Sequence, residues 1–379
     1  MADLGPNQPL IGRPDGRAAL QTPALIVDLP AMQRNIAAMA TYAKSRGVGL
    51  RPHSKTHKSA RIARLQVDAG AAGVCVVTVG EAAPMVAAGI PGVLITSPVV
   101  LPAKIDRLIA LNERAEGLMV VADNAENVDA LASAAGASGR PLTVVVDLDV
   151  GTHRTGAADL ETAVALARRI AASNALQFGG VQAYAGHLQH IEDYATRRDL
   201  ASEQAVRVAS LTEQLTAAGL APPIVTGAGT GTHEIDASGG AFTELQVGSY
   251  IFTDVQYDAV ALKADEQHPF APALTVQVSV VSNNASGFVT TDGGLKRFAT
   301  DGPKPEILRG APSGSSYRFM GDEHGAVIFP DSGSTLPLGA KVECLTPHCD
   351  PTVNLYDYYH VVDGDKLVDI WPVDGRGAI

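Results

Sequence analysis

Several things that would each mark a class of protein are scarce in this chain. It holds only three cysteines in 379 residues, Cys75, Cys344 and Cys349. Three give no paired framework, which excludes a disulfide scaffold and fits a reducing compartment. Positive charge is short as well: 29 Lys and Arg stand against 40 Asp and Glu, for a formal net charge of −11. With no basic tract and no interleaving of basic with aromatic residues, nucleic acid is excluded as a partner. The apolar runs are short and broken by Gly, Pro or charge, so no membrane span is expected. Residues 1–19 lack the apolar stretch of a secretion signal and contain Pro6, Pro9 and Pro14. These absences predict an enzyme-sized cytoplasmic protein. Its 46% apolar residues suffice for a large core and two domains.

From residue 25 to about 254, short apolar runs alternate with Ala- and Leu-rich helical stretches. Candidate strands lie at 24–27, 49–51, 73–77, 93–95, 118–121, 142–146, 178–182 and 224–226. Helical patterns at 31–45, 59–69, 125–134, 160–172 and 194–218 fall among them. The strands are apolar without alternation, as in a parallel sheet covered on both faces. Eight such units predict an α/β chain with a TIM-like (β/α)8 barrel over residues 22–262. A doubly wound sheet is the main competitor, because strand count does not separate the two. After about Leu262 the pattern changes. Residues 273–282 alternate, and 287–291, 326–329, 341–345 and 358–362 are further short strands between turns rich in Gly, Pro, Asp and Asn. Residues 263–379 therefore read as an antiparallel β domain, which residues 1–21 are expected to join.

In a barrel, functional residues gather where strands end and loops begin. The strand at 49–51 runs into Arg51-Pro52-His53-Ser54-Lys55-Thr56-His57-Lys58, a cluster poorly suited to a core. Taken alone it is a solvated basic turn. At a strand end it suits an anionic, carbonyl-bearing cofactor, and a Lys55 held among cations is expected to lose pKa and become nucleophilic. The strand at 224–226 runs into Gly227-Ala228-Gly229-Thr230-Gly231-Thr232, whose amides suit a phosphate near the last barrel strand. It lacks the ending of a P-loop and the placement of a dinucleotide fingerprint. A second turn, Gln246-Val247-Gly248-Ser249-Tyr250, closes the site from the other side. Arg154, Tyr184 and His190 follow other strands; each has a bland surface or packing role beside a cofactor- or substrate-facing one.

Far downstream stands Thr346-Pro347-His348-Cys349-Asp350-Pro351-Thr352. On an extended segment, residues two apart point the same way, so His348 and Asp350 grip one cation while Cys349 faces elsewhere. A His with a carboxylate suits Mn²⁺ or Mg²⁺; Cys349 in place of Asp350 would favour Zn²⁺.

Together these motifs resemble the metal-activated D-threonine aldolase and 3-hydroxy-D-aspartate aldolase family of pyridoxal-phosphate enzymes, which have the fold of alanine racemase. Gln182-Ala183-Tyr184, Glu244-Leu245-Gln246-Val247-Gly248-Ser249-Tyr250 and Asp322-Glu323-His324-Gly325 add to the likeness, which runs from Thr22 to Pro372. The resemblance implies pyridoxal 5'-phosphate on Lys55 as a Schiff base. It implies Arg154 and Tyr184 beside the cofactor, its phosphate at Thr230, Gly231, Gly248 and Ser249, and His190 as base on a substrate hydroxyl. It implies a divalent metal, Mn²⁺ or Mg²⁺, on His348 and Asp350. The implied activity is cleavage of a β-hydroxy-D-amino acid to glycine and an aldehyde by a homodimer. Dehydration is the alternative, with racemisation behind it. Dehydratase relatives pair His with Cys, so Asp350 favours the aldolase. Three departures bear on the choice of substrate and reaction: Cys75-Val76-Val77-Thr78 stands where the aldolases usually carry Cys-Cys-Gln-Lys, Thr152-His153-Arg154-Thr155-Gly156 includes a histidine and is closer to the dehydratase branch, and Ala185 and His187 differ from the usual loop.

Overall fold

The computed structural model describes residues 4–265 and 268–379, so the first three residues of the expected 1–21 segment lie outside it. One sheet has eight strands, in the order Gly49–Leu50, Glu244–Leu245, Ile224–Gly227, Leu176–Ala183, Leu142–Asp147, Met119–Ala122, Leu94–Ile95 and Cys75–Val76. Every pairing within it is parallel. The last strand returns to the first: Cys75 N donates to Pro52 O at 2.8 Å, and His53 bridges Cys75 in parallel. The sheet thus closes on itself as a barrel through this bridge.

The unbroken apolar character of these strands follows from their two covered faces. Cys75, Leu94, Met119, Val121 and Val145 pack together inside. Their neighbours Val74, Val76, Ile95, Val120, Val144 and Val146 turn outward onto the helical layer. The helices start where side chains satisfy their first amides. Asn124 caps Ala125–Ser138, Asp159 caps Leu160–Ala171, and Asp193 caps Tyr194–Ala217. Several helices were not expected from sequence, the longest being Val79–Ala87 and Pro102–Asn112. The first contains Gly80 and Pro84, which masked its period, but Thr78 caps it by accepting from Glu81 N. Among the described residues, no helix is long and apolar enough to cross a membrane.

The second sheet has nine strands and is mostly antiparallel. It corrects one strand assignment. Ala24–Asp28, expected as the first barrel strand, pairs antiparallel with Leu274–Ser282 and parallel with Tyr358–Asp363. It is buried on both faces like a barrel strand, so its composition does not reveal which sheet it joins. The eighth barrel strand is instead Glu244–Leu245, two residues long and too short to show a period. Glu306–Arg309, Ser316–Phe319 and Lys366–Pro372 complete the second sheet beyond the five strands expected there. The helix Leu29–Arg46 leads from this sheet into the barrel and shares a core with it through Met32, Ile36 and Met39.

Candidate active site

The strand-end residues converge. A cavity of about 290 Å³ opens at the carboxyl ends of the barrel strands, lined by His53, Lys55, Arg154, Tyr184, Gln182 and Gln246. Thr96, Ser97 and Thr155 add hydroxyl groups, and Val77 an apolar patch. Val77 occupies the position of the usual glutamine, while Thr78 is consumed as a helix cap. His153 points outward to bond Asp149 at 2.9 Å, 84% exposed, so that departure does not reach the cavity.

His53 and His57 set the frame of Lys55. Burial lowers His53 to a pKa of about 3 and His57 to about 4, so both are neutral at pH 7. His53 Nδ1 accepts from Lys55 N at 3.3 Å, which leaves the proton on Nε2, 3.1 Å from Thr96 Oγ1. His57 lies 3.2 Å from Gln66 Oε1 and its carbonyl accepts from the Tyr359 hydroxyl at 2.6 Å. Lys55 itself overturns the expectation of a lowered pKa. Its Nζ sits 2.9 Å from Asp350 Oδ1, and that carboxylate holds the ammonium well above the ordinary lysine range, against burial. The supposed cationic surroundings are two uncharged imidazoles, leaving Arg154 as the opposing charge.

Asp350 comes from the second sheet's side of the molecule. Its segment is not extended as expected: His348 is the last extended residue, and Cys349–Val353 forms a short helix. Cys349 nonetheless turns away, its Sγ on Thr253 O at 3.2 Å and its amide on Asp254 Oδ2 at 2.8 Å. Val255 N and Gln256 N also bond the carbonyls of Thr346 and Pro347. These bonds carry Asp350 to Lys55. Burial pushes the Asp350 carboxyl up, but Lys55 and then His348 outweigh it and hold it at about 2. Both carboxylate oxygens are buried, and apart from the Lys55 ion pair they receive no hydrogen bond of good geometry.

His348 Nδ1 lies 2.8 Å from Asp301 Oδ2, and its Nε2 faces Asp350 Oδ2 at 3.9 Å. A carboxylate on one imidazole nitrogen frees the other as a ligand, the usual support of a metal-bound histidine. The under-bonded Asp350 oxygens and the oriented His348 therefore fit a divalent cation. Among the described residues no group of three or more His, Cys, Asp and Glu is placed for a metal, so most of its shell would be water. Asp301 gave no signal in sequence, being one acid in a polar loop.

His190 stands at the rim, exposed, its ring 4.7 Å from that of Tyr257 and 6.3 Å from that of His348. Burial of its inner edge, then His348 and Lys55, lowers its pKa. Tyr257, which sequence did not single out, is buried and bonded through Ser249. Gly248 abuts the lysine loop so closely that a Cβ there would come within 2.8 Å of Thr56 Oγ1 and 3.3 Å of His53 O. Thr230 Oγ1 accepts from Tyr250 N at 3.0 Å, and Gly231 N donates to Gln189 Oε1 at 3.0 Å. All four residues expected at a phosphate are thus buried behind the cavity and tied to each other's neighbours; none lines it directly. Gln182, Gln246 and Thr96 were missed as individual lining residues. Each follows or ends a barrel strand, which is the signal that finds them.

A closed parallel barrel with a lysine at its carboxyl end, joined to a β domain, is the alanine-racemase type of architecture. The alanine racemase N-terminal domain model matches residues 27–255, and a putative serine dehydratase domain model matches residues 273–362. The 3-hydroxy-D-aspartate aldolase of Paracoccus denitrificans (strain Pd 1222) is 37% identical, over 94% of this chain and 92% of its own length. The D-threonine aldolase of an Arthrobacter species is 38% identical, over 96% and 94%. The crystal structure of D-threonine aldolase from Filomicrobium marinum superposes with a TM-score of 0.91 at 36% identity, covering 96% of this chain and 97% of that one. The chain belongs to the family of D-threonine and 3-hydroxy-D-aspartate aldolases.

Proposed function

We propose that this protein is a pyridoxal-phosphate-dependent lyase that cleaves β-hydroxy-D-amino acids, of the D-threonine or 3-hydroxy-D-aspartate type, to glycine and an aldehyde. The observation that carries the reading is the meeting of Lys55 with Asp350, 2.9 Å apart and with His348 beside the carboxylate, from opposite parts of the chain. Lys55 is the residue that holds the cofactor aldehyde, with Arg154 and Tyr184 beside the ring and Thr230, Gly231, Gly248 and Ser249 around the phosphate. The cofactor, when bound, supplies the electron sink for the bond that breaks. His348 and Asp350 are the metal ligands, and a divalent ion there, Mn²⁺ or Mg²⁺, supplies Lewis-acid polarisation of a hydroxyl.

The chain's own residues do the rest. His190, kept neutral at the rim, accepts the proton of the substrate β-hydroxyl as the Cα–Cβ bond opens. Lys55, when its amine is free, would be placed to return a proton at the substrate Cα. His53, locked as its Nε2–H form against Thr96, fixes the lysine loop and titrates too low to compete. Arg154 and Tyr184 orient what enters from the open side. Dehydration of the same substrates is the second reading, since Lys55 could instead remove the α-proton. Asp350, not Cys349, meeting Lys55 favours cleavage.

The protein incubated with D-threonine and with D-3-hydroxyaspartate plus Mn²⁺ is expected to form glycine and the matching aldehyde. Keto acid with ammonia instead establishes the dehydratase; neither product set refutes both readings. A cytoplasmic homodimer is part of the proposal, and gel filtration at about twice 39.2 kDa is the expected result.

A further inference from the structure

We propose that Arg197 is a positioning residue for the cofactor's phosphate, its buried positive charge, which has no carboxylate in contact, backing the loop 227–231 so that this loop prefers an anion. The inference rests on the reading that the protein binds pyridoxal phosphate with its phosphate at that loop.

Among the described residues three arginines are buried, Arg17, Arg51 and Arg197, and the third is the most deeply buried, at 0% exposure. Arg17 meets Glu343 through two arms, at 2.7 and 2.5 Å, and Arg51 meets Glu244 in the same way, at 3.0 and 2.7 Å. Arg197 meets carbonyls alone: Nε donates to Gly231 O at 2.7 Å, Nη1 to Glu192 O at 3.2 Å and to Ile191 O, and Nη2 to Ala261 O. The Tyr194 ring lies 5.5 Å from its Cζ. Among the described residues no carboxylate stands within ion-pair distance of it. Carbonyl dipoles satisfy the hydrogen-bonding capacity of a guanidinium without cancelling its charge, and an uncompensated buried charge is strongly disfavoured. The chain places glutamates in contact with its other two buried arginines; Asp193 acts on the third only from beyond ion-pair distance, which leaves it able to favour a further anion nearby.

The loop supplies the place for it. Its carbonyls are drawn to one side: Gly231 O by Arg197, and Thr230 O by His233 Nδ1 at 2.7 Å. A loop whose carbonyl oxygens are engaged from behind presents less negative charge in front, the condition for an anion-binding concavity. Burial holds His233 neutral, with a pKa of about 4. Arg197 is therefore the full charge in contact with this loop among the described residues. Gly231 also has no room for a side chain, because a Cβ on it would lie 2.1 Å from Gln189 O.

The test compares two ligands of the cofactor-free full-length protein. Pyridoxal phosphate and pyridoxal share the ring and aldehyde but differ in the phosphate; both are titrated by absorbance and by thermal shift. Wild-type protein is expected to prefer pyridoxal phosphate strongly. Arg197→Met is expected to weaken pyridoxal phosphate about tenfold or more while leaving pyridoxal within about threefold. Arg197→Lys, which keeps the charge but loses the fork, is expected to retain most of the preference. Equal weakening of both ligands by Arg197→Met overturns the proposal, since that is the signature of a loop merely deformed. So does loss of the preference in Arg197→Lys, which decides the matter even where the methionine variant fails to fold. Wild-type protein that binds both ligands equally refutes this inference alone. Wild-type protein that binds neither refutes the cofactor reading on which it rests.

Discussion

Replacing Glu244 by Gln should destabilise the barrel far more than the loss of one charge at a surface. Glu244 belongs to the two-residue strand that completes the barrel, and its carboxylate takes Nε and Nη2 of Arg51 at 3.0 and 2.7 Å. The two side chains are 6% and 9% exposed, and the rest of the Arg51 fork bonds Gly92 O and, at 3.5 Å, Ala72 O. Water is therefore unavailable to the guanidinium once the carboxylate becomes an amide. Removing one partner of a buried pair costs about 3–5 kcal/mol, because the other charge is left uncompensated. For a domain of this size each kcal/mol lowers Tm by about 2–4 °C, so Glu244→Gln should melt roughly 6–20 °C below wild type. Calorimetry at one fixed scan rate measures it. Replacing both residues by apolar ones, Arg51→Met with Glu244→Leu, should recover much of the loss, because no charge then remains buried. A single variant melting within about 2 °C of wild type, or a double variant no better than the worse single, refutes the reasoning.

Four further outcomes follow from the site and the buried histidines. Lys55→Ala should abolish turnover and the cofactor's lysine-bound absorbance together, measured on the purified variant after dialysis with pyridoxal phosphate. His190→Asn should lower kcat by about 10²–10⁴ with little change in KM, the size of a lost acid–base group. Asp301→Asn, which removes the acceptor behind His348 Nδ1, should raise the Mn²⁺ concentration for half-maximal activity about 10–100-fold, read from metal titrations after EDTA treatment. His233 has a folded pKa of about 4 against an ordinary 6.5, so the unfolded chain takes up its proton first as pH falls. Its contribution to stability is complete above pH 6.5 and is lost towards pH 4. His233→Asn should accordingly shrink the drop in unfolding free energy between pH 7.5 and 4.5 by up to about 3 kcal/mol, and an unchanged drop refutes this.

The barrel and its strand-end residues were legible in the sequence because both obey local rules. Apolar strands and capped helices repeat, and Lys55, Arg154 and Tyr184 follow strands whose ends must share one rim. What stayed hidden depends on partners distant in the chain. Ala24–Asp28 reads like any buried strand, and only its register against Leu274–Ser282 and Tyr358–Asp363 assigns it. The raised pKa of Lys55 was invisible because Asp350 lies 295 positions away, while the neighbours in view, His53 and His57, are neutral through burial. Asp301 and Tyr257 carry no motif and acquire a role only through His348 and His190.

The division of the site between two sheets explains why its halves are bound so firmly to each other. Catalysis by the proposed route needs the lysine and the metal ligands within one cavity to a fraction of an ångström, and loops alone do not provide that. Here four bonds join residues 253–256, just past the barrel, to residues 346–349: Asp254 and Thr253 hold Cys349, and the amides of Val255 and Gln256 hold Thr346 and Pro347. On the other side Tyr359, from the second sheet, grips the His57 carbonyl two residues after Lys55. The lysine loop and the His348–Asp350 segment are each tied to the opposite part of the fold. Cys349, buried and pointing away, serves as the anchor that aims Asp350 towards Lys55, so the residue that looked like a rival metal ligand in sequence is what positions the aspartate proposed for that role.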